Sequence, residues 1–415
     1  MKRLAIIGII TTCIVVCAGV YAGIQYSWFE FPYTHDDDDV YDLSSAMNEF
    51  ALTLYQEICA QTQGNIFFSP YSIYVALAMT YEGSNSTTQE EMDDVLGYPK
   101  GNSSMLSALR YLWDTFNEND NIELSTANAL WLKENFELLD TYTEKIAKYF
   151  VGKVTELDFS NAQEAADTIN AWVEQETNGK IKDLVPASAI NSYTVLILTN
   201  AIYFKGDWQV QFDEENTIDE PFYLPSGESI DVPLMRLIDS ETLFNYTETD
   251  AFQLLELPYA GNDVSMLVLL PKTDDFSAVQ QMVTNDQLTI WKEAMEPTTI
   301  DIYFPKFTLE TDYSLNTHLQ NMGMPSAFVP GGADFTDIAH APDLYITAVL
   351  HKAFIEVNEQ GTEAAAATAV IVGITSVQDP PERLEFRADH SFLFMIQHKE
   401  TGNILFMGNI VNPLE

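Results

Sequence analysis

Basic residues are scarce in this chain of 415 residues: 19 Lys and Arg stand against 62 Asp and Glu, a formal net charge of −43. Neutralising the phosphates of a nucleic acid takes clustered Lys and Arg, so a nucleic-acid binder is excluded. Attraction to anionic lipid headgroups fails for the same reason. Cysteine is scarcer still, and three residues make no disulfide framework. Cys13 and Cys17 lie in an apolar leader. Cys59 is left alone on an amphipathic segment, where it reads as a small buried hydrophobe. The catalytic motifs are missing as well: there is no HExxH, no GxSxG, no Walker loop and no CxxC pair. His35, His318, His340, His351, His390 and His398 are scattered, without an i, i+4 pair for a metal. With so many carboxylates, two close together say nothing about acid–base chemistry. The sequence offers no active site, no cofactor and no metal site, and an enzyme is not expected.

What is present is a core. Hydrophobic residues make up 47% and aromatics 12%, far above the composition of a disordered chain. The acidic surface suits solubility in strong salt, or serves no special purpose. Lys2 and Arg3 precede an uncharged run up to Ile24 of about 21 residues, long enough to cross a bilayer. Val20-Tyr21-Ala22 offers a small-residue cleavage site. Residues 1–24 are thus a signal peptide or a signal-anchor transmembrane helix, and the two positive charges favour an N-inside orientation. The body is expected outside the cytoplasm, secreted or tethered to the outer face of the membrane. Residues 25–41, with aromatics between Tyr26 and Tyr33 and the acid run Asp36 to Asp39, read as a solvated linker. They lack the alternating ligands and the sixth-position Gly of a calcium loop. The folded part should begin near Val40 and occupy residues 42–415 as one domain.

Helical spacing appears early. Met47, Phe50, Ala51, Leu54 and Ile58 recur every three to four residues over 44–58. Ser69-Pro70 opens a second helix with Pro in its first turn. Thr87, Thr88 and Glu91 resemble a capping box before a third, and residues 166–177 form a fourth. Strand signals dominate later, over 193–204, 265–270, 298–307, 344–357 and 404–411. The first two are apolar without alternation, as expected for strands covered on both faces. Helices early, strands late and no βαβ alternation predict an α+β fold with large, mostly antiparallel sheets.

The segment 359–381 is unusual. Ala364, Ala365, Ala366 and Ala367 suit a helix, yet Gly361 precedes them and a β-branched run follows. With a period of two, Thr362, Ala364, Ala366, Thr368, Val370 and Val372 fall on one face, uncharged and mostly small, while Glu363 lies on the other. Such a stretch fits a buried strand and a flexible loop equally. Compatibility with two states is what a conformational switch requires.

Several motifs in order then carry a family resemblance. Asn65-Ile-Phe-Phe-Ser-Pro-Tyr-Ser-Ile73 is similar to the NxFxSPxSI segment of serpins. Ile169-Asn-Ala-Trp-Val-Glu174 with Thr177-Asn-Gly-Lys-Ile-Lys-Asp-Leu-Val185 resembles their helix-F motif. Leu198-Thr-Asn-Ala-Ile-Tyr-Phe-Lys-Gly-Asp-Trp208, His351-Lys-Ala353, the Glu359 to Ala367 hinge and Phe406-Met-Gly-Asn-Ile-Val-Asn-Pro413 also match. Ser391 departs from the pattern, which usually has Pro there. The resemblance implies a metastable fold of three β-sheets and about nine helices with an exposed reactive-centre loop, about 359–385. It implies a suicide-substrate inhibitor: a serine protease cuts the loop, and the loop inserts into the main sheet before the acyl-enzyme can hydrolyse. About fourteen residues at about 3.3 Å each give some 46 Å of new strand. The partner is then a target protease held covalently, and the chain a monomer.

By resemblance Ser69, Ser72, Asn200 and His351 form a shutter, a polar cluster beneath the point where the sheet opens. Trp208, Lys306 and Glu359 form the breach where insertion begins, with Lys306 pairing Glu359. Small hinge residues, Gly361 to Ala367, favour inhibition over a binding, chaperone-like or structural role. Counting sixteen beyond Glu359, as in the family, sets the scissile bond at Thr375-Ser376; a loop shorter by one sets it at Ile374-Thr375. Neither candidate is basic, so an elastase-like or subtilisin-like target is expected. Acidity and the lack of disulfides point to a prokaryotic or archaeal host. Asn85, Asn102 and Asn245 head glycosylation sequons.

Overall fold

The computed structural model describes residues 36–98, 101–117, 119, 121–273, 275–341, 343–362 and 383–415. Among them are nine α-helices: α1 (Asp37–Cys59), α2 (Pro70–Tyr81), α3 (Ser86–Leu96), α4 (Ser103–Asn117), α5 (Asp140–Tyr149), α6 (Ala162–Glu176), α7 (Phe276–Met282), α8 (Asn285–Glu293) and α9 (Asn316–Met322). The first strands are β1 (Ile66–Phe68), β2 (Ile122–Lys133), β3 (Lys153–Leu157), β4 (Leu196–Asp207), β5 (Ile218–Tyr223), β6 (Ser229–Leu237), β7 (Leu243–Glu248) and β8 (Phe252–Pro258). There follow β9 (Val264–Pro271), β10 (Glu296–Pro305), β11 (Phe307–Ser314), β12 (Ala348–Val357), β13 (Gly361–Thr362), β14 (Leu384–Arg387), β15 (Phe392–His398) and β16 (Ile404–Ile410). The fold is α+β, as expected.

Six strands form one sheet in the order β11-β12-β13-β4-β2-β3. The other ten form a continuous path, β1-β16-β15-β9-β8-β7-β10-β6-β5, with β14 paired to β10. Two of the three expected sheets are joined here by β10. Its first half, Glu296 to Thr299, pairs with β7, and its second half, Ile302 to Pro305, pairs with β6.

The central strands of the six-stranded sheet are covered on both faces, which explains their unbroken apolar runs. On one side α6 lays Ile169 and Val173 over Ala127, Ala129, Trp131, Ile197 and Ala201. On the other, α2 is buried all round, from Pro70 to Tyr81. Ser69 caps α2: its Oγ accepts the Ser72 N–H at 3.2 Å.

Local expectations fail in five places. The acid run is no linker. Asp36 caps α1 by accepting the Asp38 N–H at 3.1 Å, and Asp37, Asp38 and Asp39 fill the first turn, where carboxylates meet the positive end of the helix. Thr87, Thr88 and Glu91 form no capping box, since α3 is already under way at Ser86. Thr88 Oγ1 instead accepts the Asp334 N–H (3.0 Å), and Glu91 Oε2 accepts from the Ser326 N–H and Oγ (2.8 and 2.6 Å). The strand expected over 298–307 breaks at Lys306, whose N–H turns to Pro233 O at 2.9 Å. Tyr193 is 78% exposed in the turn before β4 rather than inside the strand. Cys59 is half-buried, not fully buried, and burial pushes its thiol up to about 11, so it stays protonated.

Candidate functional site

The six-stranded sheet contains one seam of a different kind. β2 and β4 pair antiparallel, as do β11 and β12. Between these two units β12 and β4 run parallel, Ala348 to Phe354 against Ile197 to Tyr203. At one end the seam is already open. After Val357 the chain turns at Asn358, whose Oδ1 accepts the Gln360 and Gly361 N–H groups at 3.0 and 3.2 Å. It then returns as β13, antiparallel to both neighbours, with Thr362 opposite Val357 on one side and Gly206 on the other. A Cβ on Gly361 would meet Gly206 O at 2.1 Å, so only glycine allows this approach.

Lys306, Glu359 and Trp208 surround that opening. Lys306 Nζ lies 2.8 Å from Glu359 Oε2, and Thr217 Oγ1 donates to Glu359 Oε1 at 2.7 Å. Burial alone would raise the Glu359 carboxyl; the hydrogen bonds from Lys306 and Thr217 outweigh it and hold the group below the usual range. Trp208 donates twice to the returning chain, from its N–H to Gln360 O (2.8 Å) and from Nε1 to Asn358 O (3.0 Å). Its ring stacks on Tyr259 at 4.6 Å, and Tyr259 Oη lies 2.7 Å from Thr362 Oγ1. Gly361 and Thr362 are thus fixed in the sheet edge to edge.

Farther along the seam, Asn128, Asn200 and His351 stand in line across β2, β4 and β12. The Ser69 N–H donates to His351 Nε2 at 3.1 Å, so that nitrogen must be an acceptor and the ring proton sits on Nδ1. Nδ1–H in turn donates to Asn200 Oδ1. Asn200 Nδ2 donates to Ser72 Oγ and Asn128 Oδ1, and Ser72 Oγ donates to Asn128 Oδ1 at 3.2 Å. Ser69 Oγ donates to Leu405 O at 2.6 Å. Full burial pushes His351 down to about 3, so the imidazole is neutral. Of these bonds, the one from His351 to Asn200 crosses the β12–β4 seam and is the one that opening it would break.

The structure therefore brings Ser69, Ser72, Asn200 and His351 into one network and Trp208, Lys306 and Glu359 into another, with Gly361 and Thr362 beside the second. Asn128, Tyr259 and Thr217 were not foreseen. Asn128 had a signal, an isolated polar residue in the apolar stretch Ala127 to Leu132; the other two had none. Glu363, Ala364, Ala365, Ala366 and Ala367, together with Ile374, Thr375 and Ser376 of the two candidate bonds, lie outside the described residues, as does the leader 1–24. Among the described residues no helix is long and apolar enough to cross a membrane, and no group of His, Cys, Asp and Glu could hold a metal.

Comparison with known proteins agrees with this architecture. Residues 45–413 match the family model Serpin (serine protease inhibitor). An uncharacterized serpin-like protein of Methanosarcina acetivorans is 42% identical over 381 residues, covering 90% of this chain and 88% of the relative. The leukocyte elastase inhibitor of Xenopus tropicalis is 37% identical over 385 residues, covering 90% of this chain and all of the relative. The crystal structure of Serpin48 from the insect Tenebrio molitor superposes with a TM-score of 0.82 at 29% identity, covering 91% of this chain and 100% of that one. The chain belongs to the serpin family.

Proposed function

We propose that this protein is a suicide-substrate inhibitor of elastase-like or subtilisin-like serine proteases, carried out of the cytoplasm by residues 1–24. The protease serine attacks the carbonyl carbon of Thr375, and the Thr375–Ser376 peptide bond breaks. The new amino group leaves with Ser376, and Thr375 is held as an ester on the enzyme. Freed at that end, the loop zips into the seam as a full strand, and the enzyme is dragged along before water can release it.

The observation that carries this reading is the register of β13. Thr362 lies opposite Gly206 and Val357. Continued without a slip, Ala364 arrives between Phe204 and Ile355, Ala366 between Ile202 and Ala353, and Val370 between Leu198 and Val349. Thr368, the next polar residue of that face after Thr362, arrives between Asn200 and His351, which are opposite one another in the closed seam. Small and apolar residues meet apolar ones, and a hydroxyl meets the pair whose mutual hydrogen bond insertion must break. One parallel ladder is exchanged for two antiparallel ones, and the buried amide and imidazole regain a partner.

The full chain should be mixed with subtilisin and with pancreatic elastase, and the products followed on a denaturing gel and by mass. A covalent complex, a C-terminal peptide starting at Ser376 and a cleaved form of raised Tm are expected. A peptide starting at Thr375 moves the bond by one. Clean cutting by both enzymes, with no complex and no gain in Tm, would overturn the proposal in favour of a binding, chaperone-like or structural role. Thr368→Val should leave cutting unchanged, yet lower the Tm of the cleaved form and the fraction trapped, because His351 and Asn200 then lack a partner.

A further inference from the structure

The three Asn-x-Ser/Thr sequons hold their side-chain amides in different ways. Asn245 sits inside β7, opposite Pro297 of β10. Its Nδ2 donates to Glu256 Oε2 at 2.6 Å, and that buried carboxyl also accepts from Ser265 Oγ at 2.7 Å. A sugar on this nitrogen would need space that Glu256 fills. Asn85 Nδ2 donates to Thr336 Oγ1 at 3.0 Å and its N–H to Asp334 O at 2.8 Å, so the residue ties the start of α3 to the turn at 334–336. Asn102 differs from both. It stands just before α4, half-buried between the exposed Gly101 and Ser103, and its Oδ1 accepts the Ser104 N–H at 3.1 Å. That bond uses the oxygen alone, and no group among the described residues accepts from Nδ2. A Cβ on Gly101 would meet nothing within 4 Å. Beside Asn102 opens a cleft of about 1100 Å³, lined also by Asp39, Tyr41, Asp42, Asp94 and Asp286.

We propose that Asn102 is the acceptor of an N-linked glycan and that Asn85 and Asn245 are not. The inference rests on the export proposed for residues 1–24, because the sugar donor is a lipid-linked, phosphate-activated oligosaccharide presented outside the cytoplasm. Asn102 Nδ2 attacks the anomeric carbon of that donor. The bond from this carbon to the phosphate oxygen breaks, the phosphate leaves with the electron pair, and Nδ2 passes one proton to a base of the transferase. The amide keeps its oxygen and its second N–H, so the cap on α4 survives. At Asn245 the same product would crowd a buried carboxylate and cost the fold that contact. The surroundings of Asn102 suit a sugar. Its hydroxyls can donate to the carboxylates of the cleft, and Tyr41, 70% exposed, offers a ring face to its C–H groups.

The test routes the full chain through the secretory pathway of yeast, which supplies donor and transferase, and reads the secreted protein. Peptide N-glycosidase in heavy-oxygen water converts each occupied Asn to labelled Asp, which peptide mapping then counts. Occupancy at Asn102 is expected to exceed that at Asn85 or Asn245 by about tenfold. Ser103→Pro puts proline at the first position of α4, where a helix accepts it, yet spoils the sequon. The label at Asn102 should vanish, with the Tm of the deglycosylated chain unchanged. Ser104→Thr keeps the sequon and should keep the label. A bare Asn102, or equal occupancy at Asn85 or Asn245 in a secreted chain of parental Tm, would overturn the proposal. The chain recovered from its native cells separates this from the export reading, with peptide mass as the readout. A glycan on Asn102 supports both, and a bare Asn102 on protein from the outer face overturns the proposal. A chain found only in the cytoplasm counts against export, and the yeast chain then decides the acceptor.

Discussion

A single proton sets the hydrogen-bond pattern of the cluster of Ser69, Ser72, Asn128, Asn200 and His351. His351 accepts from a backbone N–H on one side and donates to an amide oxygen on the other, so a second proton would set two donors face to face at Nε2. Its folded value is depressed below the ordinary histidine value of about 6.5. Between about pH 3 and 6.5 the unfolded chain binds the extra proton and the folded chain does not. Stability is therefore full above about pH 6.5 and falls as pH drops through that window. His318 and His398 are lowered by burial as well and act in the same direction. Urea unfolding at a series of pH values should show this loss. In His351→Gln the slope should be shallower and the stability at neutral pH lower by about 1–3 kcal/mol, because the Ser69 N–H and Asn200 Oδ1 lose a matched partner. An unchanged slope would mean the other histidines and carboxylates account for it.

Elements are set partly by rules that a sequence displays and partly by contacts it hides. Asp36 begins α1 where charge alone suggested a linker, so Asp36→Ala should lower stability by about 1 kcal/mol, measurable by chemical denaturation; a linker residue would give no change. α2 was legible from Ser69-Pro70, because cap and proline act within one turn. β13 was legible only as a segment fit for two states. Two residues make no strand alone, and Gly361 and Thr362 become one because β4 and β12 flank them there and Trp208, Tyr259 and Lys306 bind the returning chain. The hinge gives a sharp test. Thr362 is fully buried, and Thr362→Arg would force a charge between two strands. Loop cutting should continue at the parent rate while the covalent complex disappears and the cleaved form gains no Tm. Trapping at the parent level would refute insertion from this seat.

For the whole molecule the dominant quantity is −43 elementary charges on a folded body with few cations to offset them. Self-repulsion of that size opposes compaction and is screened by ions, since the screening length falls from about 30 Å at 0.01 M to about 3 Å at 1 M. Tm should rise by several degrees between low salt and about 1 M NaCl, with the steepest gain at the low end. A Tm that falls or stays flat would mean that specific ion pairs outweigh the net repulsion.

The sequence by itself determined the fold class, the absence of catalytic motifs and the family. Those rest on composition and on motifs of a few residues in fixed order, which local chain geometry enforces. It also named most of both polar clusters, though as members of a pattern rather than as hydrogen-bond partners. The tertiary structure alone decided which residues complete them. Asn128 joins His351 through strands more than 200 residues apart in sequence, and Tyr259 and Thr217 reach the hinge from unrelated segments. The parallel seam is likewise invisible in sequence, because register between strands is fixed by packing on both faces of the sheet and not by either strand alone.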